Sequence, residues 1–195
     1  MTAAMSRMSD MNGLPPAGGW TTDDLDALPE DGVRRELLDG VLLVSPSPSN
    51  IHQKIAMRLA VALEASCPAQ FDVTPGVEVR IDARRSFIPD VLVTTVEAAR
   101  RGPRLFAPHE VILAVEIVSP TSQAMDRITK PALYAAAGIP YYWRIEIDDG
   151  ISVDTFKIDP EAEMYRPFGL FEVEIDAPEP WPIKIAIEKL TPRFR

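Results

Sequence analysis

Residues 111–118 read Val111-Ile112-Leu113-Ala114-Val115-Glu116-Ile117-Val118, an apolar run broken by a single acid. A short run rich in β-branched residues, with no polar alternation, marks a central strand buried on both faces. Ser119-Pro120-Thr121-Ser122 ends it, and a helix is expected over 123–137, with Ile128, Leu133, Tyr134 and Ala137 facing inward. Gly138 supplies its C-cap. Tyr141 to Ile147 is the next strand, and Asp149-Gly150 turns the chain into another over Ile151 to Ile158.

Upstream, Phe71 to Ile81 is strand material, with Val77, Val79 and Ile81 alternating against Glu78 and Arg80. A polar turn from Asp82 to Ser86 leads to a strand over Phe87 to Val96, with Pro89 near its start. Ile51, Ile55, Leu59, Ala62 and Leu63 recur at helical spacing, so about 50–66 is an amphipathic helix, capped by Ser49 or Asn50 and ended by Cys67-Pro68. Asp39-Gly40 between two apolar runs (Glu36 to Val44) is a hairpin with a type I′ turn. Thr22, followed by Asp23 and Asp24, opens a short helix that ends before Pro29. Residues 164–187 read as short strands with Pro-rich joints, and Ile187 to Leu190 as a last helical turn. The expected fold is α/β: a mixed β-sheet flanked by helices, with an N-terminal hairpin and a C-terminal β extension. Residues 1–20 read as a flexible leader and 21–195 as one domain.

Composition narrows the function classes. The chain has 195 residues, 46% hydrophobic and 25% charged, with one cysteine and two histidines. This excludes an internal disulfide and a Cys/His zinc cluster. No apolar run reaches the roughly 18–20 residues of a membrane helix. The first twenty residues carry no secretory h-region, so a cytoplasmic protein is expected. Net charge is −9, with −5 over residues 1–50, 0 over 51–100, −1 over 101–150 and −3 over 151–195. An acidic total argues against a protein that lives by non-specific phosphate attraction, though the neutral middle leaves room for a local basic lip.

Two acids sit where packing alone would not put them. Asp90 heads an apolar strand, and Glu116 interrupts the most apolar one. A buried lone carboxylate costs several kcal/mol unless paired, protonated or bound to a cation. Neighbouring strands could bring both side chains to one spot, where carboxylate oxygens and waters suit a hard divalent ion such as magnesium. The alternative is structural: Glu116 pairs with an Arg or caps a backbone group. Lys130 follows fourteen residues later, with Asp126 one helical turn before it. Two readings are open for Lys130. It makes a solvated i,i+4 pair with Asp126, or its ammonium reaches back to Glu116, orients a water and neutralises charge on phosphate. Pro131 disfavours α geometry at Lys130, so the helix begins or kinks there. His52, at a helix start, either touches phosphate or only caps. Tyr134 reads as core or as a hydrogen-bond prop.

Pro89-Asp90, Glu116 to Ser122, Asp126, Lys130, Tyr134, Gly138-Ile139-Pro140 and Tyr142-Trp143 together resemble the Uma-two family, within the PD-(D/E)XK nuclease superfamily. Glu36 to Gly40 and Ser47 to His52 match that family's opening, and the resemblance spans about residues 20–190. It implies a restriction-endonuclease-like core. It implies Asp90 and Glu116 as metal ligands, with the backbone carbonyl of Ile117 completing the set. The superfamily pattern wants Lys two residues after Glu116, where this chain has Val118; the matching lysine is Lys130, on the following helix. Glu36, His52 and Asp126 are supporting residues. The expected activity is metal-dependent hydrolysis of DNA phosphodiester bonds with Mg2+ or Mn2+, by a homodimer. The rival expectation is an inactive nuclease-fold module that binds nucleic acid or a protein partner.

Overall fold

The computed structural model describes residues 15–194, so most of the expected leader lies outside the described residues. In chain order the elements are α1 (Thr22–Asp26), β1 (Arg35–Leu38), β2 (Val41–Val44), α2 (Asn50–Glu64), β3 (Phe71–Pro75), β4 (Glu78–Asp82), β5 (Arg85–Phe87) and β6 (Val91–Thr95). Then come α3 (Val96–Arg100), β7 (Leu105–Phe106), a 3-10 turn (Pro108–Glu110), β8 (Val111–Ile117), a π-helical turn (Met125–Thr129), α4 (Lys130–Ala136) and β9 (Tyr141–Glu146). The chain closes with β10 (Ser152–Asp159), β11 (Met164–Phe171), β12 (Glu174–Ala177), β13 (Ile183–Ala186) and α5 (Ile187–Leu190). By packing, the chain divides into two compact units, one of residues up to Ser47 with Glu78–Ile88, the other of Pro48–Val77 with Pro89–Arg195.

The first unit is built on the β1–β2 hairpin, registered Glu36↔Leu43 and Leu37↔Leu42. Asp39 and Gly40 both have positive φ, 50° and 82°. That is the backbone a type I′ turn demands, and it matches the right-handed twist of the flanking strands. β1 also pairs with β5, and β5 with β4, all antiparallel. Leu37, Val79 and Phe87 are fully buried in this unit. α1 starts one residue earlier than its sequence suggests. Thr21 is the N-cap, accepting from the Asp24 N–H while the Asp24 carboxylate accepts from the Thr21 N–H, a reciprocal capping box.

The second unit holds a six-stranded sheet in the order β11-β10-β9-β8-β6-β3. β8 and β9 are parallel and every other neighbouring pair is antiparallel. The parallel pair requires a crossover, which α4 provides. As the apolar run predicts, β8 is central, and Leu113, Val115 and Ile117 join the core. α2 lays Ile55, Leu59 and Leu63 against the same core on one stripe, all at 0% exposure. The N-cap of α2 is Ser49, whose hydroxyl accepts from the His52 N–H at 3.3 Å. Trp143 and Tyr142 are buried as strand packing.

Three further elements differ from their sequence-based expectation. The strand over 71–81 is two strands, broken at Gly76, whose φ of 64° turns the chain out of the sheet. Its halves join different sheets, β3 with β6 and β4 with β5. The strand over 87–96 is likewise interrupted at Ile88-Pro89-Asp90, and its end curls into α3, capped by Thr95. The helix over 123–137 is a π-helical turn followed by α4. Pro131, without an N–H, cannot bond the carbonyl one turn earlier, and the chain answers by widening the preceding turn. Among the described residues no helix is long and apolar enough to cross a membrane.

Candidate active site

β6 and β8 run antiparallel with Val91 opposite Val115 and Leu92 opposite Ala114. Asp90 directly precedes Val91 in the chain, and Glu116 directly follows Val115. The backbone ties this corner together. The Asp90 N–H donates to the Val115 carbonyl at 2.9 Å, and the Ile117 N–H donates to Asp90 Oδ2 at 2.8 Å. In an extended strand a residue's N–H and C=O leave on the same edge, so the Ile117 carbonyl faces the Asp90 side.

Glu116 is almost fully buried and receives two donors on one oxygen. Lys130 Nζ lies 3.0 Å from Glu116 Oε1, and the Tyr134 hydroxyl donates to the same Oε1 at 2.8 Å. Lys130 and Tyr134 stand four apart on α4, one turn along the face turned to the sheet, and both are buried. Asp126 Oδ1 is 3.7 Å from Lys130 Nζ. That i,i+4 pair is buried, not solvated. Asp126 is held by the Ser122 hydroxyl on Oδ2 and by the Tyr142 hydroxyl, which donates to its carbonyl at 2.6 Å. Burial, then the nearby Glu116 and Asp126 charges, push the Tyr142 phenol well above its usual range, so it stays a donor.

His52 reaches the other acid. Its Nε2 lies 3.1 Å from Asp90 Oδ2, and its Nδ1 is buried without a hydrogen-bond partner. A carboxylate accepts hydrogen bonds when ionised, so Nε2 is the ring nitrogen placed to donate to Asp90. The second unit alone therefore gathers Asp90, Glu116, Ile117, Asp126, Lys130 and His52 at one end of β6 and β8. Glu36 lies in the first unit, buried, with its Oε1 accepting from the Ile88 N–H at 2.8 Å. Arg84 and Arg85 form an adjacent basic pair of the kind that can meet phosphate. Both serve the turns of the first unit, Arg84 on the Gly18 and Asp39 carbonyls and Arg85 on the Asp39 carboxylate.

The inward aim of His52 was readable in one signal. It stands three residues before Ile55 and seven before Leu59, on the apolar stripe of α2. Tyr134 carries the same kind of signal, one turn beyond Lys130.

The donor set suits a particular kind of ion. Among the described residues no group of three or more His, Cys, Asp and Glu side chains is arranged to hold a metal. Two carboxylates and a backbone carbonyl are all oxygen, the ligand class of magnesium or manganese and not of zinc. Magnesium keeps several waters and commonly takes only one or two carboxylates, so the residues present fit such an ion.

A model of the Uma2 family, described as "Putative restriction endonuclease", matches residues 22–181. The chain belongs to that family. Among solved structures it is similar to the crystal structure of "a putative nuclease belonging to DUF820" from Anabaena variabilis, with a TM-score of 0.68 and 18% identity. The match covers 87% of this chain and 96% of that one, and it shows a shared fold. No curated protein matches.

Proposed function

We propose that this protein is a metal-dependent endonuclease that hydrolyses phosphodiester bonds in DNA, with Asp90, Glu116 and Lys130 as its catalytic residues. The observation that carries the reading is the convergence of three chemically matched groups from distant parts of the chain. The Asp90 carboxylate accepts from the N–H of Ile117, the residue after Glu116, and Lys130 returns from the next helix to meet Glu116. Burying charges costs more than burying apolar residues of the same size, so packing alone does not favour such a group.

Asp90, Glu116 and the Ile117 carbonyl would hold Mg2+ or Mn2+. When bound, such an ion would supply Lewis acidity for the scissile phosphate and for a nucleophilic water. Lys130, through one of its three N–H donors, positions that water and offsets the negative charge that builds on the phosphate. Water oxygen bonds to phosphorus, the bond from phosphorus to the leaving oxygen breaks, and the water proton passes to solvent while the leaving oxygen takes one up. Glu116 keeps the ammonium in place. Asp126 braces Lys130 from within its own helical turn. A homodimer would present two such sites to the two strands of a duplex.

One observation favours a second reading. The cation that touches Glu116 at 3.0 Å is Lys130 itself, with Asp126 close behind, and a closed ion-pair cluster can be purely structural. The fold would then act as a binding module. Calorimetric titration with Mn2+ separates the two. Binding that vanishes in Asp90→Asn and Glu116→Gln supports the enzyme; no binding up to millimolar Mn2+ supports the module.

A further inference from the structure

We propose that His52 and Tyr134 form a matched pair of positioning residues, each fixing one of the two carboxylates so that both are preset to receive the divalent ion. The inference rests on the metal-binding reading of Asp90 and Glu116 and extends it to the side chains that would orient them.

The two contacts have the same form. His52 lies on α2 and Tyr134 on α4, and each is buried and presents one donor to one acid. His52 Nε2 lies 3.1 Å from Asp90 Oδ2, and the Tyr134 hydroxyl donates to Glu116 Oε1 at 2.8 Å. In each case a second donor already holds the same oxygen: the Ile117 N–H on Asp90 Oδ2 and the Lys130 ammonium on Glu116 Oε1. Two donors converging on one oxygen fix the rotation of a carboxylate far better than one, since a single hydrogen bond leaves the group free to swing about it. A carboxylate has about four lone-pair sites, so these bonds are compatible with metal ligation.

The arrangement has a cost that a packing role does not explain. With Nε2 turned to Asp90, Nδ1 of His52 is buried without a partner. A buried unsatisfied polar atom is destabilising, and each one calls for a reason. A leucine at position 52 would continue the apolar stripe of α2 at no such cost. What histidine adds there is the donor to Asp90. Tyr134 adds the same to Glu116, where phenylalanine would pack as well. Neither residue touches the reacting atoms in this account; both act through the acids.

The test measures Mn2+ affinity of the full chain by calorimetry, alongside the melting temperature without metal. Tyr134→Phe removes only the hydroxyl. His52→Ala removes the donor, and His52→Gln replaces it with an amide N–H at the Nε2 position. Loss of such orienting partners typically weakens metal binding about 10–100-fold. The expected result is a Kd raised by that factor in Tyr134→Phe and His52→Ala, with His52→Gln near wild type. A purely structural role would instead lower the melting temperature and leave Kd unchanged. If His52→Ala does not fold, Tyr134→Phe and His52→Gln decide the matter. Wild-type affinity in Tyr134→Phe overturns the pair while leaving the metal site standing. Failure of the wild-type chain to bind Mn2+ at all overturns both the pair and the metal reading.

Discussion

The Lys130 ammonium lies 3.0 Å from Glu116 Oε1, although fourteen residues separate the two in the chain and both are almost fully buried. This contact joins the helix after the central strand to the strand itself, so it belongs to the stability of the fold as much as to its chemistry. Removing one partner of a buried ion pair leaves the other charge uncompensated, which typically costs about 3–5 kcal/mol. Lys130→Met is therefore expected to lower unfolding free energy by that amount in urea titration. Lys130→Met combined with Glu116→Gln is expected to recover part of it. A double-variant loss equal to the sum of the Lys130→Met and Glu116→Gln losses would show that the pair is not coupled.

α2 carries His52 to the site and is held by its inward stripe. Leu59→Ala should cost about 2–5 kcal/mol, the range for opening a cavity at a fully buried leucine. Val61, two residues on, is 66% exposed, and Val61→Ala should stay within about 0.5 kcal/mol of wild type. Denaturant midpoints at constant slope provide the measurement.

The hairpin turn gives a third test. Gly40 has φ of 82°, and a Cβ there would collide with the Arg84 guanidinium. Gly40→Ala is expected to destabilise by more than about 1 kcal/mol, because strain at positive φ adds to the clash. Gly32, at φ of 76°, meets nothing within 4 Å, so Gly32→Ala carries the strain without the clash and should cost less. Thermal melts of the two variants check the order.

Cys67 is half-buried, and desolvation, followed by the Glu64 and Asp72 charges, pushes its thiol from 9.0 up to about 11. Burial favours the neutral form, so stability from this group is complete below the unfolded value and is lost as pH rises toward 11. The thiolate is the reactive species. A shift of two units makes its fraction at pH 8 about 100-fold smaller than in the unfolded chain. Iodoacetamide labelling at pH 8 should be slower in the folded protein by about that factor, and it should reach the unfolded rate in denaturant.

The parts of this fold that were legible in the sequence are those where one local signal dominates. The run from Val111 to Val118 could only be a core strand, Asp39-Gly40 could only be a tight hairpin, and the spacing of Ile55, Leu59 and Leu63 reads directly as the buried stripe of α2. The breaks were not legible. Val77, Val79 and Ile81 keep their alternation across Gly76, so nothing local says that the halves enter different sheets; the pairing partners decide it. The π-helical turn before Pro131 is a compromise between a missing donor and a helix that must still deliver Lys130 to Glu116. Among site residues, Asp90 and Glu116 stood out because a charge in an apolar setting has a visible cost, and Lys130 by its place after Glu116 and in the family pattern. Tyr134 was legible only as an inward residue, either core or a hydrogen-bond prop; its donation to Glu116 decides between the two.

The most direct test of the account is the nicking of supercoiled DNA by the full-length protein in magnesium or manganese, with wild type set beside Asp90→Asn, Glu116→Gln and Lys130→Met. The account predicts that wild type nicks the plasmid only when the divalent ion is present, and that each variant, checked for folding by circular dichroism, slows nicking by at least about 100-fold. A wild-type protein inert with both ions, or three folded variants that cut as fast as wild type, would contradict it.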